Sequence, residues 1–275
     1  MTRTALQDAL KVTMADHRAA TVQDVSRQML SVRASLAAMI RESQSPHGEQ
    51  LPLKEPVETK ATEVLEWMRR RAPAAFEAWK QAFEENRSEY ASTERRANSL
   101  SVRSNPGAEG FSMWARPWLR GRVLDIGCGP QAVPVYLESH PAALCAGIDP
   151  LPPFDRHPFI FREAFCEAIP WPDGSFEVVT CATSLDHVFD LDRSLHEICR
   201  VLVPGGLFLV WVAFIEGAAP YDLDRVRERL DRFHLFHFDR PWFYPLMLQR
   251  FEILEDWSFD SQSHFLCLRP LHRGA

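Results

Sequence analysis

Long apolar runs are missing from this chain. The most apolar stretch, LFLVWVAFI at residues 207–215, spans about half of what a membrane-crossing helix needs, and it reads as a buried central strand. Positive charge is not in excess either. Lys and Arg total 31 against 37 Asp and Glu, a net charge of −6. That argues against a nucleic-acid partner, whose footprint is usually basic. None of the six cysteines stands in a C-x-x-C pair, so reduced thiols of a cytoplasmic protein are expected. The opening MTRTALQDALKVTMADHR has no apolar core of a secretory signal, which fits the same location. No internal period points to repeats.

What is present divides by texture near residue 100. Residues 1–43 contain neither Gly nor Pro, and Val22, Val25, Met29, Val32, Leu36 and Ile40 step by three and four, a helical stripe. A polar linker with Pro and Gly follows at 43–56. ETKATEVLEWMRRR and PAAFEAWKQAFEENRSEYA read as two more helices, divided at Pro73, with Trp67, Phe76, Trp79 and Phe83 on their apolar faces. A helical region over 1–100 is therefore expected, ahead of a second domain over 101–275.

From Gly121 onward, short β-branched runs alternate with helical ones. RVLDIGC, ALCAGIDP, FIFREAF, SFEVVTCAT and LFLVWVAF read as strands, with helices expected near 131–139 and in DLDRSLHEICRVL. Nearly continuous apolar strands alternating with helices mean a parallel sheet covered on both faces. A helix DLDRVRERLDRF, a Trp/Tyr/Pro-rich piece and two strand-like runs, FEILEDWSF and SHFLCLR, complete the chain as an antiparallel closing pair.

The chemistry concentrates in VLDIGCGPQAV. Gly127, Gly129 and Ala132 fit the dinucleotide fingerprint, and Asp149 lies near the spacing of its ribose-binding acid. Asp125 argues for a different ligand. A dinucleotide fold usually has an apolar residue two positions before the first glycine, because pyrophosphate lies close. A carboxylate suits a cationic ligand such as S-adenosylmethionine, with its ammonium and sulfonium. Asp149 suits the ribose of either ligand.

EAIPWPDGSFEVVT and CRVLVPGGLFLVW, taken with that loop and Asp149, resemble the signatures of class I S-adenosylmethionine-dependent methyltransferases, in order, over about Gly121–Val212. The resemblance implies a Rossmann-like, mostly parallel seven-stranded sheet, S-adenosylmethionine as cofactor and S-adenosylhomocysteine as product. It implies cofactor contacts from Asp125, Gly127, Cys128, Gly129, Asp149, Pro150, Phe165, Cys166, Glu167, Ala182 and Thr183. The family's adenine-binding Asp is replaced by Phe165 and its neighbours, which leaves that contact open. Residues 100–245, with ATSLDHVFDLDRSLHEI and DRFHLFHFDRPWF, also resemble bacterial methyltransferases of surface-polysaccharide biosynthesis, which implies a sugar hydroxyl in a glycan or its precursor as acceptor.

A sugar hydroxyl needs its proton removed, and a histidine suits that role. His187, beside Asp186 after the fourth strand, is the first candidate for the base and His237 the reserve. His234, Arg240, Trp242 and Tyr244 are expected to line the acceptor site. His234 and His237 lack a third ligand at a supporting spacing, so no metal is expected. The N-terminal helices are expected to form a lid, a homodimer interface or a docking surface for a glycosyltransferase. Three rival readings stay open: a methyltransferase of a natural product or quinone, a non-catalytic cofactor-binding module, and an NAD dehydrogenase.

Overall fold

The computed structural model describes residues 51–58, 61–92, 99–153 and 156–271, all within one compact unit that begins at Gly48. The helix expected over 21–43 lies outside the described residues. Seven strands form one sheet in the order β3-β2-β1-β4-β5-β7-β6. They are β1 (Val123–Ile126), β2 (Cys145–Asp149), β3 (Ile160–Glu163), β4 (Phe176–Ala182), β5 (Leu202–Ala213), β6 (Phe251–Ser258) and β7 (Ser263–Pro270). β1 to β5 pair in parallel, and β7 inserts antiparallel between β5 and β6. This is the Rossmann-like fold expected from the sequence.

All of β1 and β2 is buried, as central parallel strands require. The chain order reverses between β1, which runs back to β2, and β4. A sheet of this kind opens its ligand crevice at that point, beyond the carboxyl ends of the strands.

The helices are α1 (Ala61–Arg71), α2 (Pro73–Ala91), α3 (Pro106–Ala115), α4 (Leu191–Val201) and α5 (Arg240–Leu248). α4 buries Leu191, Leu195 and Ile198 and is capped by Asp190, which accepts from the Arg193 amide. α3 begins with Pro106 after Asn105, whose side chain accepts from the amides of Gly107 and Ala108. α1 and α2 do not stand apart. Met68, Phe76 and Trp79 join the same hydrophobic core as β1, β4 and β5, so the boundary expected near residue 100 does not separate them from the sheet. No helix among the described residues is long and apolar enough to cross a membrane.

Two expected helices do not form. Residues 131–139 are turns. Pro134 has no amide to give and disfavours helical backbone in the residue before it. The Val135 amide bonds to Ser101 O, and those of Leu137 and His140 bond three residues back. DLDRVRERLDRF is also irregular. Its charges are used on the neighbouring helices: Arg71 pairs with Asp224, and Arg232 pairs with Glu85 and Glu89. Asp231 then turns the chain by accepting from the amides of Phe233 and His234. A helix forms instead in the Pro-rich piece, as α5.

Candidate functional site

β1 ends at Ile126, and the backbone turns through Gly127 and Gly129, both at φ 70°, where a side chain is strained. A Cβ on Gly127 would sit 2.2 Å from Ser184 Oγ. The amides of Gly127 and Cys128 both donate to Ile148 O of β2, and the Gly129 amide donates to Asp149 Oδ2 at 2.9 Å. The glycine loop is thus tied to the end of the neighbouring strand.

A cleft lies beyond these strand ends. Of the expected cofactor residues, Gly127, Asp149, Pro150, Phe165, Cys166 and Glu167 line it. Asp149 Oδ1 accepts the Leu151 amide at 2.8 Å, so each carboxylate oxygen holds one backbone donor and keeps a second lone pair. Burial pushes the Asp149 carboxyl up to about 6, against the pull of those two amides.

The other expected cofactor residues act from behind the cleft wall. Asp125 is wholly buried, accepting from Thr180 Oγ1 at 2.6 Å and Tyr136 OH at 3.1 Å. Cys128 packs with Cys145 and Phe159, and burial pushes its thiol well up, so it stays protonated. Thr183, at φ 55°, and Ala182 end β4 and turn the chain so that Ser184 and His187 reach the cleft. Glu167 accepts from the amides of Phe189 and Asp190 and so fixes the loop that carries His187.

Burial pushes the Asp125 carboxyl up to about 7, aided by the charge of Asp149 and opposed by its bonds to Thr180 and Tyr136. An unfolded Asp loses its proton near 3.8. Between those values the native chain binds more protons, so stability falls as pH rises. Asp149 and Glu167, also raised by burial, act in the same sense. Urea unfolding should show a higher midpoint at pH 5 than at pH 8, and Asp125→Asn should shrink the difference. An unchanged difference would contradict this.

On the acceptor side, only His187 of the three candidate histidines lines the cleft. Its Nδ1 faces Phe233 O at 3.3 Å. A carbonyl can only accept, so Nδ1 carries the proton and Nε2 the lone pair. Nε2 stands 4.0 Å from Asp186 Oδ1. His234 stacks on His187 with ring centroids 4.5 Å apart, and its Nδ1 bonds to Asp231. Burial pulls the His234 ring pKa down, against the charge of Asp186. His237 Nε2 bonds to Asp231 Oδ2 at 2.8 Å, and His237 is not among the residues that line the cleft. Burial disfavours the Asp231 charge, but the amides of Phe233 and His234 and the His234 ring outweigh it and hold the carboxyl at about 2.

Arg240, Trp242 and Tyr244 do not line the cleft. They belong to α5 and hold it in place. Arg240 bonds to Ser261 O and His264 Nε2, Trp242 Nε1 donates to Ala218 O, and Tyr244 OH donates to Asp256. The wall they were expected to form is built instead by Trp79, Phe83, Asn86 and Tyr90 of α2, with Phe189, Phe233 and Leu235. The sequence shows α2's apolar face but not that it roofs the strand ends.

Residues 124–210 match the family model described as a methyltransferase domain. The chain is 29% identical over 124 residues to the uncharacterized methyltransferase YcgJ of Bacillus subtilis, covering 40% of this chain and 47% of that protein. It is 35% identical over 100 residues to the ubiquinone/menaquinone biosynthesis C-methyltransferase UbiE of Geobacter sulfurreducens, covering 31% of this chain and 39% of that protein. The chain thus spans less than half the length of these curated relatives. Among solved structures, the 1,6-didemethyltoxoflavin-N1-methyltransferase of Burkholderia thailandensis, with 1,6-didemethyltoxoflavin and S-adenosylhomocysteine bound, shares the fold. Its TM-score is 0.50 at 14% identity, over 80% of this chain and 93% of that one. Over residues 124–210 the chain is therefore similar to the methyltransferase domain family.

Proposed function

We propose that the chain transfers a methyl group from S-adenosylmethionine to a small, largely planar apolar acceptor, of quinone or aromatic natural-product type. The observation that carries this reading is the wall of the cleft beyond the loop: Trp79, Phe83, Phe189, Phe233 and Leu235. Such a surface binds a flat apolar molecule by burial and ring stacking. A sugar would need converging polar groups, and Arg240, Trp242 and Tyr244, expected to supply them, are engaged elsewhere in the fold. Relatives that include a ubiquinone/menaquinone biosynthesis C-methyltransferase and a demethylmenaquinone methyltransferase lend support in the same direction.

The residues present fit the cofactor. Asp149, with a spare lone pair on each oxygen, suits two ribose hydroxyls. Phe165 and Cys166 suit the adenine, and the backbone at Gly127 suits the amino-acid end. Bound there, the cofactor supplies an activated methyl carbon. The chain must place the acceptor, exclude water and remove a proton. α2 covers the cleft, and Trp79 Nε1 donates to His187 O at 3.2 Å, joining that cover to the acceptor-side histidine. His187 Nε2 takes the acceptor's proton and Asp186 stabilises the imidazolium. Of the N-terminal region expected over 1–100 to serve as a lid, dimer interface or docking surface, residues 1–50 lie outside the described residues.

The test is transfer from methyl-labelled S-adenosylmethionine to a panel of demethylated hydroquinones, phenols and nucleotide sugars. Turnover of the aromatic acceptors is expected, with a loss of about 10²–10⁴-fold in His187→Ala, the usual worth of a general base. Transfer to sugars alone would overturn the acceptor class.

A further inference from the structure

The fold brings His234 beside Asp186 and His187, which are far from it in sequence. Asp186, His187 and His234 bring one carboxylate oxygen and two ring nitrogens within 4.8 Å of one another. Asp186 Oδ1 stands 4.0 Å from His187 Nε2, and Oδ2 stands 3.8 Å from His234 Nε2. We propose that these three side chains bind one divalent transition-metal cation of the zinc type, on the acceptor side of the cleft.

Two further observations carry it. Asp186 Oδ1 is buried and has no hydrogen-bond partner, a costly state for a carboxylate oxygen, and a cation would satisfy it. Each histidine also has the outer partner that metal-bound histidines have. His187 Nδ1 is held by Phe233 O, and His234 Nδ1 by Asp231. The two Nε2 atoms stand 4.0 and 3.8 Å from the two carboxylate oxygens of Asp186.

Two histidines and one carboxylate are a recurrent set for zinc and other first-row ions in sites that keep positions open. Donors about 2.0–2.1 Å from zinc stand about 3.3 Å from one another. The three groups must therefore draw in by about an ångström, within the reach of side-chain rotation. His187 lines the cleft, so the open position faces the acceptor. With an ion held there, His187 Nε2 would be a ligand rather than a base, and the chemistry supplied would be Lewis-acid polarisation of an acceptor oxygen. The donor set stands whatever the acceptor is. A second group, Asp231, His234 and His237, is the competing location, but there both histidines already bond to the carboxylate.

The experiment is equilibrium dialysis of the chelator-stripped full chain against Zn²⁺, with metal analysis, for wild type, Asp186→Asn, His187→Ala and His237→Ala. Circular dichroism checks folding, and each sample is also titrated with S-adenosylhomocysteine. One ion per chain is expected, weakened at least 100-fold in Asp186→Asn and His187→Ala and within about threefold of wild type in His237→Ala. No stoichiometric binding overturns the proposal. So does binding that survives Asp186→Asn and His187→Ala but is lost in His237→Ala. S-adenosylhomocysteine binding without Zn²⁺ binding overturns the cation site and leaves the methyltransferase reading standing.

Discussion

Asp149→Ala should weaken S-adenosylhomocysteine binding by at least 100-fold. Both carboxylate oxygens already hold a backbone amide, from Gly129 and Leu151, and the remaining lone pairs face the cleft that Asp149 lines. Hydrogen bonds to a charged group are worth about 1.5–3 kcal/mol each. Losing two costs about 3–6 kcal/mol, or about 10²–10⁴-fold in affinity. The Gly129 amide also loses its anchor, so the loop slackens. Because Asp149 titrates near 6, wild-type affinity should be level above pH 7 and fall as pH drops below that value, where the acceptor charge is lost. Calorimetric titration of both proteins at pH 5 and pH 7.5 reads both effects. A variant within tenfold of wild type would show that Asp149 braces the loop and does not touch the cofactor.

Trp79→Ala should produce the largest loss of stability in the roof of the cleft. Trp79 is 5% exposed and stacks on Phe83 with centroids 5.1 Å apart. It meets Phe165 and Phe189 edge-on. Removing a buried Trp costs about 3–5 kcal/mol, and about 2–4 °C of Tm accompanies each kcal/mol in a domain of this size. A fall on the order of 10 °C is expected from these figures. The substitution also removes the donor to His187 O and opens the acceptor wall, so the acceptor KM should rise more than the KM for the cofactor. Thermal unfolding and steady-state kinetics check the two halves separately. A Tm change under about 2 °C, well below what burial of a Trp implies, would mean that α2 is not packed as described.

The parts of the molecule legible in the sequence are those set by local rules. The central strands were readable because parallel strands buried on both faces give unbroken apolar runs, as in VLDI and LFLVW. The glycine loop was readable because φ 70° at Gly127 and Gly129 restricts the residue type. The helices expected over 131–139 and in DLDRVRERLDRF failed because local propensity lost to other bonds. In the first, Pro134 broke the amide ladder. In the second, Arg71, Glu85 and Glu89 on the neighbouring helices drew the charges outward.

The acceptor site was the least legible, because it is assembled from distant segments. Asp186 and His234 are far apart in sequence and meet only because the 231–238 loop folds back beside the end of β4. Arg240, Trp242 and Tyr244 have the residue types of a sugar site. Their use is decided by which face of α5 meets β6, β7 and Phe214, and periodicity does not reveal that. Asp125 shows the same limit on the cofactor side. Its position beside the glycine loop was clear, but Tyr136 and Thr180 decide where its carboxylate points.

The central claim is that this crevice takes S-adenosylmethionine and not a dinucleotide. Calorimetric titration of the wild-type chain with S-adenosylhomocysteine, with NAD as the control, tests it most directly. One molecule bound per chain at about micromolar affinity, with no heat from NAD, is the predicted result. Binding of NAD by well-folded protein that ignores S-adenosylhomocysteine would contradict the account.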